Sequence, residues 1–374
     1  MGKTLRDILD LCKEQDIKIV DFKMTDIDGR WRHLSIPVGR LNEDTMQYGI
    51  GFDGSNYGYA PVESSDMVFV PDLDSATIDP FAEVPTLTMI GDVMIIDRPA
   101  NRPFDQYPRN VAKRAIGYMK ELGIADEMIV GPEYEFYVFD NVEYTNRPEC
   151  SGYDISARQA EWSTENNGYQ VPRKAGYHTS LPMDVTQDLR NRICLMMEEW
   201  GVKVKYHHPE VGGCGQLEIE VELGEMTQMA DNTMVAKYII KNAAAKEGRT
   251  ATFMPKPVAG RPAAACTCIC TCSRTASPSS TMKRAMRSSV MWPCGLLAAC
   301  WSTRLPCAPS PTPLPTPISA WCPVLRLRLP SVTLWPTAAL WCGFPLTPRR
   351  RRISGLSCVT LMQPVTPTMP SPPS

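Results

Sequence analysis

Residues 129–140 read IVGPEYEFYVFD, and the organisation of the chain follows from that stretch. Its β-branched and aromatic residues mark a strand, and a period of two puts Glu133, Glu135 and Tyr137 on one face with Tyr134, Phe136 and Val138 on the other. Two carboxylates in an apolar strand are costly unless a cation or a hydrogen-bond donor compensates them. A second stretch, VKVKYHHPEVGGCGQLEIEVEL at 202–223, reads as two strands around a glycine-rich turn. Glu210 closes the first of these strands, and Glu218 and Glu220 lie on the second. Four or five carboxylates on adjacent strands make an oxygen-rich site for a hard divalent ion such as Mg²⁺ or Mn²⁺. Spacing alone leaves solvent-facing glutamates as an equal alternative, because charged side chains are mostly exposed. His207 and His208 point to opposite faces of their strand, so at most one serves a given site, and a hydrogen-bonded structural histidine stays open for either.

Outward from this centre the pattern is that of an ordinary folded protein. Thr4 with Asp7 reads as a capping box opening a helix with Leu5, Ile8, Leu9 and Cys12 inward. IKIVDFKM (17–24), a DIDGR turn and WRHLSIPV (31–38) read as a hairpin. GFDGSNYGY (51–59) is a glycine-rich loop, and short strands follow it. Residues 1–105 therefore form a small β-rich domain. Helices are predicted over 109–122, over 185–200 with Asp184 as cap, and from an Asp231 cap to Gly248. Helices alternating with β segments over 106–261 make the second domain part of an α+β fold.

The chain has 374 residues, 41 of them acidic and 39 basic, with 43% hydrophobic residues. That is globular composition, and it excludes a disordered chain and a whole-chain nucleic-acid binder. No run of 18 apolar residues predicts a membrane span, and MGKTLRDILDLCKEQ has no apolar stretch of the signal-peptide kind. The averages hide a break, however. All 41 acids, all four His and all 13 Tyr lie before Pro262. Residues 262–374 hold 11 Lys and Arg, 19 of the 34 prolines, 10 of the 14 cysteines and five of the eight tryptophans. By average usage such a stretch should carry on the order of a dozen acids. A disulfide framework, a basic proline-rich interaction tail and a translation of the wrong reading frame compete to explain it.

GFDGSN with SSDM and PD, then GPEYEF, HHPEVGGCGQLEIE and TATFMPKP, together resemble glutamine synthetases of the bacterial type I class. These motifs follow the family's order and separations across residues 1–260. The resemblance implies a β-grasp N-terminal domain and a catalytic domain on a curved antiparallel sheet, here incomplete. It also implies a ring-shaped homo-oligomer in the cytoplasm, with active sites between neighbouring subunits. The implied reaction joins ammonia to glutamate at the expense of ATP through γ-glutamyl phosphate, with two Mg²⁺ or Mn²⁺ ions per site and no nucleic-acid or membrane partner. Carried across by motif, Glu135, Glu210 and Glu218 match the ligands of the first metal, and Glu133 matches a ligand of the second. Asp53 matches the aspartate that one subunit contributes to its neighbour's ammonium site. Tyr177 lies where the family has a Gly-Tyr-Phe segment near the nucleotide, although His178 replaces the Phe.

The resemblance also favours one reading of the tail. When each codon is re-read as the last base of one triplet plus the first two of the next, ACTCICTCSRTA permits MHVHMYMFKDG, a family-like segment. Stretches 305–328 and 355–373 give family-like segments with the same shift. A frameshift near Gly260–Pro262 is the expectation, with an aberrant, disordered tail over 262–374 and impaired activity of the chain as written. A γ-glutamyl ligase for another amine, or a non-catalytic decayed product, are the alternative functions. The four scattered cysteines before 261 are consistent with a reducing cytosol.

Overall fold

The computed structural model describes residues 2–97, 100–165 and 167–273. Helix α1 (Leu5–Glu14) opens with the capping box: Thr4 Oγ1 accepts from the Asp7 amide, and the Asp7 carboxylate accepts from the Thr4 amide at 2.7 Å. β1 (Ile19–Thr25) and β2 (Trp31–Pro37) form the predicted antiparallel hairpin, turned at Gly29 with φ 74°. After the short α2 (Glu43–Tyr48) come β3 (Ile50–Asp53), β4 (Asp66–Pro71), β5 (Thr77–Ile78), β6 (Thr86–Ile95) and β7 (Arg102–Pro103). The main sheet order is β2-β1-β6-β4-β3, with β1 and β6 parallel and the other neighbours antiparallel. Phe22, Met24, Phe69, Leu87, Met89 and Val93 bury themselves against Ile8 and Cys12 of α1. This is the β-grasp domain expected at the N-terminus.

The second part runs α3 (Pro108–Glu121), β8 (Glu127–Phe139), an exposed hairpin of β9 (Asn141–Arg147) and β10 (Cys150–Ser156), then α4 (Gln187–Glu199), β11 (Val204–Pro209), β12 (Gln216–Val221), β13 (Gly224–Glu225), α5 (Met226–Lys246), β14 (Thr250–Thr252) and β15 (Cys266–Ser273). The sheet is antiparallel and curved, ordered β11-β12-β8-β13, with β14 and β15 also on β8. One of its faces presents Tyr134, Phe136, Leu217 and Ile219 to Ile193 and Met197 of α4 and to Ile239 and Ile240 of α5. That apolar layer fixes the register, because a slip of one residue would drive Glu133 and Glu135 into the helices.

Two of the expected helix caps are corrected. α4 starts after Thr186, and Asp184 instead forms a fully buried ion pair with Arg190. α5 starts six residues earlier than predicted, capped by Glu225, whose carboxylate accepts from the Thr227 and Gln228 amides. Asp231 lies inside that helix and accepts from Arg109 Nε at 2.9 Å. Arg109 also donates to Asp72 and, at 2.8 Å, to Asp92, so one guanidinium ties α5 to the β-grasp sheet. An aspartate before a helical pattern looks like a cap in one dimension; a distant arginine claims it in three.

The aberrant stretch needs a correction as well. Residues 262–273 are not without structure: β15 pairs with β8 from Cys266↔Tyr134 to Ser273↔Glu127. CTCICTCS alternates as a strand does, and Cys268 and Cys270 are buried in the core. The rest of the tail, from 274 onward, lies outside the described residues. Among the described residues no helix is long and apolar enough to cross a membrane.

Candidate metal centre

Strand pairing assembles a polar face from residues far apart in the chain. Glu218 stands opposite Glu135 and Glu220 opposite Glu133 across β12 and β8, while His208 stands opposite Glu218 across β11 and β12. Thr267 on β15 completes the row beside Glu133. Glu210 enters from the end of β11, its backbone amide bonded to the Gln216 carbonyl at 2.8 Å and one carboxylate oxygen accepting from the Val211 amide. The turn behind it is tight. Gly176 lies so close that a Cβ there would stand 2.3 Å from the Glu210 carbonyl oxygen. At Gly215, where φ is +92°, a Cβ would stand 2.1 Å from the Val138 carbonyl oxygen.

All four predicted glutamates come together, but not as equals. The tightest group is His208, Glu210 and Glu218, whose donor atoms lie within 4.8 Å of one another. His208 Nδ1 is 3.6 Å from Glu210 and its Nε2 is 3.7 Å from Glu218. Ligands of one divalent ion bound at about 2–2.5 Å stand up to about 4–5 Å apart, so this trio fits a cation with little adjustment. Glu135 lies next to the trio, but one of its oxygens already accepts from Gln216 Nε2 at 3.0 Å and from the Ala265 amide at 2.8 Å. Glu133 accepts from the Thr267 hydroxyl. Alternation allowed at most one histidine of the pair to face a site, and it is His208 that faces the carboxylates, while His207, on the opposite face, accepts from Arg190 Nε at 3.2 Å.

Burial and mutual repulsion shape the titration of this cluster. Burial, helped by a hydrogen bond to Glu210 and by repulsion from Glu135, Glu210 and Glu133, pushes the Glu218 carboxyl up to about 9. Glu135 is pushed up to about 7, mainly by burial, against the opposing bond from Ala265. Burial first of all holds His208 below its ordinary value, leaving the imidazole neutral and able to ligate. Two carboxylates and an imidazole suit Mn²⁺ at least as well as Mg²⁺. Because a cation must displace the proton on Glu218 and part of that on Glu135, Mn²⁺ affinity should rise steadily from pH 6 to pH 9, with protons released on binding. Calorimetric titration in buffers of different ionisation enthalpy reads that release, and a pH-independent affinity would refute it.

Tyr177 and Asp53 sit differently. Tyr177, exposed at the surface, stacks on His178 with centroids 3.9 Å apart and meets the His208 ring edge-on at 5.2 Å, which puts a flat aromatic platform beside the trio. His178 adopts a left-handed backbone with φ 56°, and its amide bonds the Pro209 carbonyl, which holds this loop against β11. Asp53 ends β3 on the edge of the β-grasp sheet, exposed. Its carboxyl is held below the usual range by its bonds from Ser55, one of them from the amide at 2.8 Å. No contact among the described residues brings it to the glutamates.

A β-grasp domain leading into a curved antiparallel sheet that carries clustered carboxylates defines a class, and comparisons agree with it. The model of the glutamine synthetase β-grasp domain matches residues 16–96, and that of the glutamine synthetase catalytic domain matches residues 105–271. The chain belongs to the glutamine synthetase family. It is 40% identical over 265 residues to a glutamine synthetase of Vibrio cholerae, a match covering 69% of this chain and 56% of the relative. It is 39% identical over 267 residues to a 3-hydroxylaminophenol mutase of Cupriavidus pinatubonensis, covering 70% of this chain and 56% of that protein. The fold resembles that of a Plasmodium falciparum glutamine synthetase determined by cryo-electron microscopy, with a TM-score of 0.66 at 23% identity over 73% of this chain and 54% of that one. The chain thus spans about half the length of the curated relatives it matches.

Proposed function

We propose that this chain descends from an ATP-dependent ligase joining ammonia to glutamate, and that it keeps the metal-binding half of that site. The observation that carries the reading is the juxtaposition of His208, Glu210 and Glu218 with Glu135 beside them, in a chain of this family. A divalent cation there would neutralise charge on phosphate oxygens during phosphoryl transfer. Around it, the residues of this chain have distinct tasks. Gln216 and the Ala265 amide hold Glu135 in place. The Tyr177 ring offers a stacking surface for the adenine of ATP. Asp53, exposed on its own domain, is free to serve a neighbouring copy in a ring by attracting ammonium and accepting its proton. Glutamate, ammonia and ATP as substrates, self-association and a cytoplasmic setting belong to the same proposal.

The acid-free composition after Arg261 supports a frameshift as its origin. Sequencing the DNA across codons 258–264 tests this: an uninterrupted frame encoding the chain as written refutes it. The activity test compares the chain as written with a frame-restored version for glutamine and ADP formation. The restored protein should turn over ammonia and glutamate, and the chain as written should be at least about 10³-fold slower, the scale of losing charge-stabilising groups from phosphoryl transfer. Equal turnover would overturn the expected impairment. Turnover of a larger amine in preference to ammonia would move the reading to another γ-glutamyl ligase.

A further inference from the structure

The polar face divides its carboxylates into two sets. His208, Glu210 and Glu218 face one another at ligand spacing. The other three carboxylates accept from donors outside the trio, Glu220 from Lys205 Nζ at 2.6 Å, Glu135 from Gln216 and the Ala265 amide, and Glu133 from the Thr267 hydroxyl, while within the trio Glu210 gives one oxygen to the Val211 amide and turns the other toward His208. Resting on the metal-centre reading above, we infer that this chain binds one divalent cation, at His208, Glu210 and Glu218, and that Thr267 excludes a second by occupying Glu133.

The physical case is one of donors and spacing. A second cation would need several oxygen or nitrogen ligands converging on one point. The register places Thr267 directly beside Glu133, on the side of β8 away from β12, where a further ligand would have to stand. A hydroxyl that donates to the carboxylate satisfies it without a cation, and a neutral hydroxyl is a poor substitute for an anionic ligand. Lys205 satisfies Glu220 in the same way with a full positive charge. Among the described residues His208, Glu210 and Glu218 form the one such group of metal-binding side chains.

The test is the stoichiometry of Mn²⁺ on the full-length chain, read from the electron paramagnetic resonance signal of free Mn²⁺ and checked by calorimetry, with circular dichroism to establish folding. One equivalent is expected. Two equivalents would overturn the inference and leave the metal centre standing, whereas none would overturn both. Thr267→Asp, which sets a second carboxylate beside Glu133, should raise the count to two, and a folded variant that still binds one would refute the role of Thr267. Glu133→Gln, which conserves shape, should leave the single affinity within about threefold, since only a partly screened charge nearby is lost. A loss beyond about tenfold would make Glu133 a ligand and sink the division into two sets.

Discussion

Replacing Asp184 with alanine is expected to lower the unfolding free energy by about 3–5 kcal/mol, a large share of the roughly 5–15 kcal/mol that holds a domain together. The Arg190 and Asp184 side chains are each 2% exposed and meet in two parallel bonds of 3.0 and 2.6 Å. Thr186 Oγ1 accepts from the same guanidinium at 2.6 Å and donates to Asp184 at 2.8 Å. Burial alone would raise the Asp184 carboxyl, but the bonds from Arg190 and Thr186 outweigh it and hold the group below the ordinary value. Its contribution is therefore present at neutral pH and is lost as the pH falls through that depressed value. Alanine at 184 strands a guanidinium in the core. Urea denaturation should show the drop as a lower midpoint with little change in slope. As a control, Asp10→Ala on the surface, where the partners Arg6 and Asp10 are 91% and 53% exposed, should cost no more than about 1 kcal/mol. A drop at Asp184 no larger than that of the control would refute the argument. Replacing both 184 and 190 with leucine should recover much of the loss, since no charge is then left alone. The effect reaches the metal centre too, because Arg190 also bonds His207 and so fixes the strand that aims His208 at the glutamates.

The sequence carried this far where function rests on local period and fell short where it rests on long-range partners. Alternation put Glu133 and Glu135 on one face and separated His207 from His208, because pleating is a local property. Asp184 and Asp231 read as helix caps because aspartate before a helical pattern usually is one. Their arginine partners, 6 and 122 residues away, follow from tertiary packing that no local pattern encodes. The place of His208 beside Glu210 and Glu218, with Glu135 drawn toward Gln216, depends on strand register. Composition marked the break after Arg261 but hid β15, because an acid-free segment that still alternates Cys with Thr and Ile can fill a free strand position on β8.

Glu218→Gln is expected to produce opposite effects in the presence and absence of metal. In the metal-free chain Glu218 is 13% exposed and crowded by Glu210, Glu135 and Glu133, and its carboxyl is pushed up to about 9. An acid raised in the fold favours folding fully only below its ordinary value near 4.5, and that advantage fades as the pH climbs toward the folded value. At pH 8 the folded chain must therefore either hold a proton that the unfolded chain releases or bear a repelled charge, a cost on the order of a few kcal/mol. Glutamine keeps the shape and removes that cost, so the metal-free variant should be more stable than the parent at pH 8, with the gap closing toward pH 5. Metal reverses the order. At a hundredfold excess over its dissociation constant, Mn²⁺ should stabilise the parent by about 2.7 kcal/mol. Losing an anionic ligand should weaken binding at least as much as losing a group that merely orients one, about 10–100-fold, which leaves the variant under about 1.5 kcal/mol of stabilisation at the same concentration. Melting curves of both proteins at pH 5 and pH 8, with and without Mn²⁺, test the claim together. A variant less stable than the parent without metal at pH 8 would mean that the carboxylates are not crowded. A variant stabilised by Mn²⁺ as strongly as the parent would mean that Glu218 does not hold the ion. Only a side chain that the fold tolerates poorly and the cation requires gives both results, and that is the thermodynamic signature of a residue kept for binding rather than for stability.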